Sequence, residues 1–319
     1  MKRIPLVLLL ILSIVANSQI KKTSKMGQTT LDELKMTVYD KDSTAAALVL
    51  FEHANIYLDS NNNYETRTDF YFRIKILDKS AFDLANITIN LFRKRRVKDI
   101  KAITYNLSET GSLVNSVLQK DKIFEVQKSK DFKSHRFTLP NIKEGSVIEY
   151  SYSILSPYLG INDWCFQSKI PKMESKIDAA IIANSKYNVK LVGFLPLDKE
   201  DISVDKKCVY IDGIGQGACV VYSFFIKNIP AFKEEDYMLS KKNYISRVTF
   251  DLKTHTSPRG IVENYTTTWK EADKKLKKIF FNNQTSKTSF FESKISDSIL
   301  KIDNKLQRAK SIYRRARTT

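Results

Sequence analysis

The stretch Leu139–Gln167, LPNIKEGSVIEYSYSILSPYLGINDWCFQ, decides the reading of the fold. Pro140 and Asn141 open it with a turn signal, and Lys143-Glu144-Gly145 suits a tight bend. Val147, Glu149, Ser151 and Ser153 then alternate with Ile148, Tyr150, Tyr152 and Ile154. This is a period-2 pattern rich in aromatic and β-branched residues. Pro157 and Gly160 break the strand, and Trp164 to Ile170 reads as a second strand ending at Pro171. The stretch predicts the central hairpin of an all-β domain. It says more about fold than about chemistry.

Upstream, the pattern repeats in short runs: Ala46 to Leu58, Phe70 to Leu77, Ala85 to Phe92, Val97 to Leu107, Leu113 to Leu118, Ile123 to Val126 and Arg136 to Leu139. Downstream come Lys176 to Ala183, Asn188 to Leu195, Cys208 to Ile211, Ala218 to Ile226 and Ile245 to Leu252. Strands this close together, without intervening helices, argue for a mainly β fold, an antiparallel β-sandwich. Asp212-Gly213-Ile214-Gly215-Gln216-Gly217 invites a phosphate-loop reading, but another strand follows it rather than a helix N-terminus. A glycine-rich hairpin tip is the better reading.

The character changes near Ser257-Pro258-Arg259-Gly260. Thr268 and Glu271 form a capping box ahead of Trp269, Ala272, Leu276 and Ile279 at helical spacing. A further helix carries Ile295, Ile299, Ile302, Leu306, Ala309 and Tyr313 as an apolar stripe. The expected organisation is a signal peptide over 1–18, a flexible lead-in over 19–30, a β-sandwich over 31–256 and a pair of α-helices over 257–319. The stripe within 295–313 wants a partner and predicts self-association when left uncovered.

Met1 to Ser18 reads as a secretory signal: Lys2 and Arg3 precede the apolar run Ile4–Ala16, and Ala16 and Ser18 place small residues for cleavage between Ser18 and Gln19. The apolar run is too short to span a bilayer. The expected location is therefore periplasmic or extracellular, with no stable membrane insertion after cleavage. The formal charge of +18 falls by two, to +16, once Lys2 and Arg3 leave. Arg93-Lys94-Arg95-Arg96 looks like a nucleic-acid patch, but the other basic residues are scattered along an exported chain. A solvated surface attracted to anionic envelope polymers is the better reading, with no nucleic-acid partner expected.

Three blocks carry a resemblance: LPNIKEGSVIEYSYSILSPY, INDWCFQSKIP, and IPAFKEEDYMLSKKNYISRVTF from Ile229 to Phe250. Together, over roughly Leu31 to Tyr313, the chain resembles the family catalogued as domain of unknown function 3857, found in exported Bacteroidota proteins N-terminal to a transglutaminase-like domain. The resemblance implies a β-sandwich of unestablished activity. It also implies that the Cys, His and Asp of the neighbouring domain have no counterpart here. The chain stops after Arg314-Arg315-Ala316-Arg317, where the family's helix continues, so truncation is expected.

No catalytic constellation, cofactor motif or metal-ligand spacing stands out. His53, His135 and His255 lie far apart, without a metal-ligand neighbour at a useful spacing. Cys208 and Cys219 flank the glycine-rich tip and are a candidate disulfide, although buried free thiols remain open. Cys165, between Trp164 and Phe166, reads as core rather than nucleophile. Candidate ligand or partner surfaces are Trp164 with Tyr158, as a sugar platform, and the acidic cluster Glu234-Glu235-Asp236. The functional expectation is a non-catalytic module that binds or positions a protein or envelope glycan for a transglutaminase-like domain. The alternatives are the N-terminal part of a Cys-His-Asp peptidase or acyl-transferase, and a stand-alone carbohydrate-binding module.

Overall fold

The computed structural model describes residues 25–257, 259–265, 268–282, 289 and 293–317. The protein is mainly β, with antiparallel sheets and a few C-terminal helices. It divides into two compact units. The first holds 25–159, 163–181 and 191–248; the second holds 160–162, 182–190 and the described residues from 249 onward.

The chain opens with helix α1 (Leu31–Lys35), whose Thr30 and Glu33 complete a reciprocal capping box. Strands β1 (Ala47–Asp59), β2 (Glu65–Ile76), β3 (Asn86–Phe92), β4 (Arg96–Leu107), β5 (Leu113–Val117), β6 (Phe124–Ser129), β7 (Phe132–Thr138) and β8 (Val147–Ser156) follow. After the short β9 (Trp164–Cys165) come β10 (Lys172–Ile182), β11 (Ser185–Val192), β12 (Lys199–Ile211), β13 (Gly215–Ile229) and β14 (Arg247–Thr256). The large sheet runs β12-β13-β10-β1-β2-β8-β4-β5. Its β1–β10 pair is parallel, joining Val49 to Lys172 and Asn55 to Asp178.

Packing follows the alternation. One face of the large sheet, including Val49, Ile74, Ala102, Ile148 and Tyr150, packs against the smaller β3-β7-β6 sheet through Ile89, Leu91 and Phe137. That two-layer core is the sandwich. On the opposite face, Leu48, Leu50, Tyr105 and Val147 are covered by Leu34 of α1. Lys75, fully buried there, donates from Nζ to the carbonyls of Leu34 at 2.6 Å and Gly145 at 2.5 Å. One lysine thus ties α1 to the turn before β8.

The expected hairpin of β8 with Trp164–Ile170 does not form. Both edges of β8 are occupied, by β2 and by β4, so no edge remains for the returning chain. Trp164 and Cys165 instead pair with Val248 and Arg247 of β14. The glycine-rich segment is a hairpin tip between β12 and β13, with Gly213 and Gly215 at φ +76° and +100°.

In the second unit, β14 pairs with β15 (Val262–Asn264). Helix α2 (Trp269–Leu276) starts at the Thr268 cap and widens into a π-helical turn, Lys277–Asn282. The single helix expected over 295–313 is two: α3 (Asp297–Leu300) and α4 (Lys305–Arg317). Asn304 divides them, since its Oδ1 accepts from the backbone N–H of Leu306 and Gln307 at 3.0 and 3.1 Å and so caps a new helix. No helix among the described residues is long and apolar enough to cross a membrane.

Candidate functional site

Alternation on β1 and β2 sorts their polar residues onto one side. His53, Asn55 and Tyr57 face Tyr71, Asp69 and Arg67 in register. Tyr71 and Asp69 in turn face Ser151 and Ser153 of β8. At one end this polar face is sealed. There Glu149 accepts from the hydroxyls of Tyr71 and Tyr105 and, at 2.7 Å, from the backbone N–H of Gly27. Arg73 reaches the Gln28 carbonyl at 3.0 Å and Glu33 at 3.4 Å. Burial, reinforced by the Glu149 carboxylate, raises the pKa of both tyrosines well above the usual phenol range, so they remain donors.

Beyond that seal the face opens as a cleft of about 370 Å³. Arg67 occupies its floor. Its guanidinium donates to Asp69 at 2.7 Å, Asp99 at 2.8 Å and Asp59 at 3.3 Å, and also to Ser153 at 2.8 Å. The Ser153 hydroxyl in turn donates to Asp69 at 2.6 Å. Asp99 reaches this cluster from a β-bulge in β4, where the register slips between Lys98 and Lys101. It adopts φ +57°, a conformation most side chains avoid. Such bulges re-aim a side chain, and here the re-aimed group is a carboxylate facing an arginine.

Along the cleft, His53 Nε2 lies 2.7 Å from Asp178 Oδ2, and Lys176 reaches the same oxygen at 2.6 Å. Burial works to raise the Asp178 pKa. The hydrogen bonds from His53, Lys176 and Ser223 outweigh it and hold the carboxyl well below the usual range. A His–Asp pair invites a catalytic reading, but it needs a nucleophile within reach. Ser151 stands opposite Tyr71, which stands opposite His53. Two strand spacings, roughly 9–10 Å, separate their backbones, whereas Ser223 hydrogen-bonds the Asp178 carboxylate that His53 contacts. The arrangement suits recognition of a polar ligand by fixed donors and acceptors.

The residues singled out from sequence are scattered. Trp164 is only 7% exposed, stacks near Phe70 and Phe72, and donates from Nε1 to Ser175 at 3.1 Å. It is a core residue, which overturns the sugar platform. Tyr158 is half-buried just past β8, and neither aromatic lines the polar cleft. Cys165 is exposed rather than core, because the two-residue β9 turns it outward while Trp164 and Phe166 point in. Crowding by neighbouring atoms nevertheless raises the pKa of its thiol, which favours the protonated, unreactive form. Glu234, Glu235 and Asp236 are exposed, with Glu234 paired to Lys241 at 3.1 Å. Glu235 and Asp236 line a second cleft of about 420 Å³ with Phe194 and Tyr237, which the structure keeps apart from Trp164.

Cys208 and Cys219 are joined by a disulfide across the β12–β13 hairpin, with Cα atoms 5.8 Å apart. Ser18 and Gln19 lie outside the described residues. His135 sits 3.1 Å from Glu125, and His255 Nδ1 lies 2.8 Å from Ser185. Among the described residues, no cluster of three or more His, Cys, Asp or Glu is arranged to hold a metal.

No family model and no curated protein matches the chain. A solved structure does. A protein of Parabacteroides distasonis described as a "putative protease" superposes with a TM-score of 0.54 over 79% of this chain, at 14% identity. The match covers 47% of that protein, so this chain spans about half its length. At such identity the likeness shows the fold alone.

Proposed function

We propose that this chain is a non-catalytic, exported β-module that binds a polar segment, of protein or envelope glycan, and positions it for a peptidase-like domain outside this chain. The observation that carries the reading is the open polar cleft. Its floor is a preorganised Arg67–Asp69–Asp99 cluster, and its imidazole is engaged by Asp178. Fixed charges of this kind recognise hydroxyl, amide and amino groups at little reorganisation cost. The likeness to half of a longer protein described as a protease supports a module that works beside a catalytic domain. Export is supported by the Cys208–Cys219 bond, since such bonds persist in oxidising compartments.

The test is binding of soluble peptidoglycan fragments and short envelope-protein peptides to the purified chain, followed by calorimetry. Ser151→Trp fills the cleft and Lys101→Ala strips its rim. Each should weaken binding at least tenfold while leaving the melting temperature within a few degrees. Binding indifferent to both substitutions would reduce the cleft to a structural feature. Turnover of such ligands by the chain alone, lost in His53→Gln, would favour the enzymatic reading instead.

A further inference from the structure

Helix α2 and its π-helical extension leave every large apolar residue on the surface. Trp269 is 93% exposed, Leu276 51%, Ile279 and Phe280 59% each, and Phe281 63%. Trp269 and Leu276 stand seven residues apart, about two α-helical turns, and so share one stripe. The wider π turn from Lys277 onward brings Phe280 and Phe281 to the two sides of that stripe.

The polar residues are sorted as well. Glu271 and Asp273 sit in the N-terminal half, where the helix dipole favours them. From Lys274 onward the charges are all positive: Lys274, Lys275, Lys277 and Lys278, flanking Leu276, Ile279, Phe280 and Phe281. Lys275 is turned back, donating to the Asn264 carbonyl at 2.5 Å and lying over the Tyr265 ring. Lys274, Lys277 and Lys278 are exposed.

We infer that this segment, residues 268–282, is an interfacial helix that docks on an anionic phospholipid surface. The composition of the segment suits a lipid surface. Lysine stems can lie along an acyl boundary while their ammonium groups reach headgroup phosphates. Indole, exposed at one end of the segment, prefers the bilayer interface. The segment is also far too short to span the hydrocarbon, so it would lie in the interface plane. The formal charge, +18 for the full sequence and +16 without Lys2 and Arg3, adds a long-range attraction of the same sign. This inference is independent of the polar cleft.

The chain offers an internal reporter. It has two tryptophans, of which Trp164 is buried and Trp269 exposed. Vesicles of phosphatidylcholine with about a quarter phosphatidylglycerol should shift the emission to the blue and co-float the protein. Pure phosphatidylcholine should do neither. Trp269→Phe should remove the shift and keep most of the binding. Lys277→Glu with Lys278→Glu should lower the partition coefficient by at least roughly 30-fold, and about 0.5 M salt should mimic that loss. Phe280→Ser with Phe281→Ser should weaken binding even at low salt. All five positions are exposed, so circular dichroism should stay unchanged. Binding that survives the lysine and phenylalanine pairs would trace to the chain's general charge and overturn the inference. So would a shift that persists in Trp269→Phe, or capture of a protein partner with no vesicle binding.

Discussion

His53 and Asp178 meet across the parallel β1–β10 pair, with Nε2 and Oδ2 2.7 Å apart, although 125 residues separate them in sequence. Lys176 shares the same oxygen, and Ser223 also hydrogen-bonds the Asp178 carboxylate. Its folded-state pKa is depressed, so its stabilising contribution is present above the ordinary carboxylate value of 3.8 and is lost as pH falls below it. Asp178→Asn should cost about 1–3 kcal/mol at neutral pH. The gap to the parent should close in urea titrations carried out progressively below about pH 4. A constant gap down to pH 2 would show that the carboxylate's charge is not what stabilises.

Gly193 is packed against Ser246. A Cβ added there would fall 2.5 Å from the Ser246 Cα and Oγ, and Gly193 itself sits at φ +96°. The Ser246 hydroxyl cannot retreat freely, because it accepts from the N–H of Phe194 and Leu195 at 3.2 and 3.1 Å. Gly193→Ala combines overpacking with backbone strain and should cost about 2–4 kcal/mol. Ala placed at Gly111, where nothing lies within 4 Å of the added Cβ at φ +76°, isolates the strain part and should cost less. Chemical denaturation of the two variants makes the comparison, and equal losses would remove packing from the account.

How much of the fold and the cleft is legible in the sequence depends on range. The β1 run HANIYL shows alternation by eye and falls within the expected strand, whereas β2 starts at Glu65, five residues before the expected Phe70, and so takes in Thr66 to Asp69. The alternation of β1 puts His53 and Asn55 on one face, but Arg67 and Asp69 join them only because β2 starts earlier than expected. What no local pattern carries is the pairing partner. Asp178 joins His53 only because β10 docks parallel to β1, and Asp99 reaches Arg67 only through a bulge. Trp164 misleads for the same reason: its neighbours in space, Phe70 and Ser175, decide that it is core. The break at Asn304 is signalled by a cap residue, but the unbroken apolar stripe masks it.

The disulfide predicts a thiol count. Of three cysteines, only Cys165 is free, and it is exposed. The oxidised, folded protein should therefore react with one equivalent of a thiol reagent, slowly because its thiol pKa is raised, and with three after reduction and unfolding. The bond closes a short loop, with a sequence separation of 11, so reduction should cost about 2–3 kcal/mol. Three reactive thiols in non-reduced protein would remove the bond.

Lys75 gives the last prediction, and its sign is opposite to that of Asp178. Full burial presses its pKa down to about 8, opposed by the charge of Glu33, while the unfolded side chain returns to 10.5. Between those values the unfolded chain holds a proton that the folded chain has released, so stability should rise with pH, by up to about 1.4 kcal/mol per unit. Above about pH 10 the tyrosines reverse the trend. Tyr71 and Tyr105 stay protonated when folded and ionise when unfolded, which favours unfolding. The window to read is therefore about pH 8 to 10. Lys75→Met keeps the apolar stem but leaves the carbonyls of Leu34 and Gly145 without their donor. That should cost about 1–3 kcal/mol at pH 7. It should also flatten the rise between pH 8 and 10, because the group that titrates is gone. A variant that loses stability but keeps the slope would assign the titration to another residue. One that loses the slope at no cost would mean that the two hydrogen bonds only offset the burial of the charge.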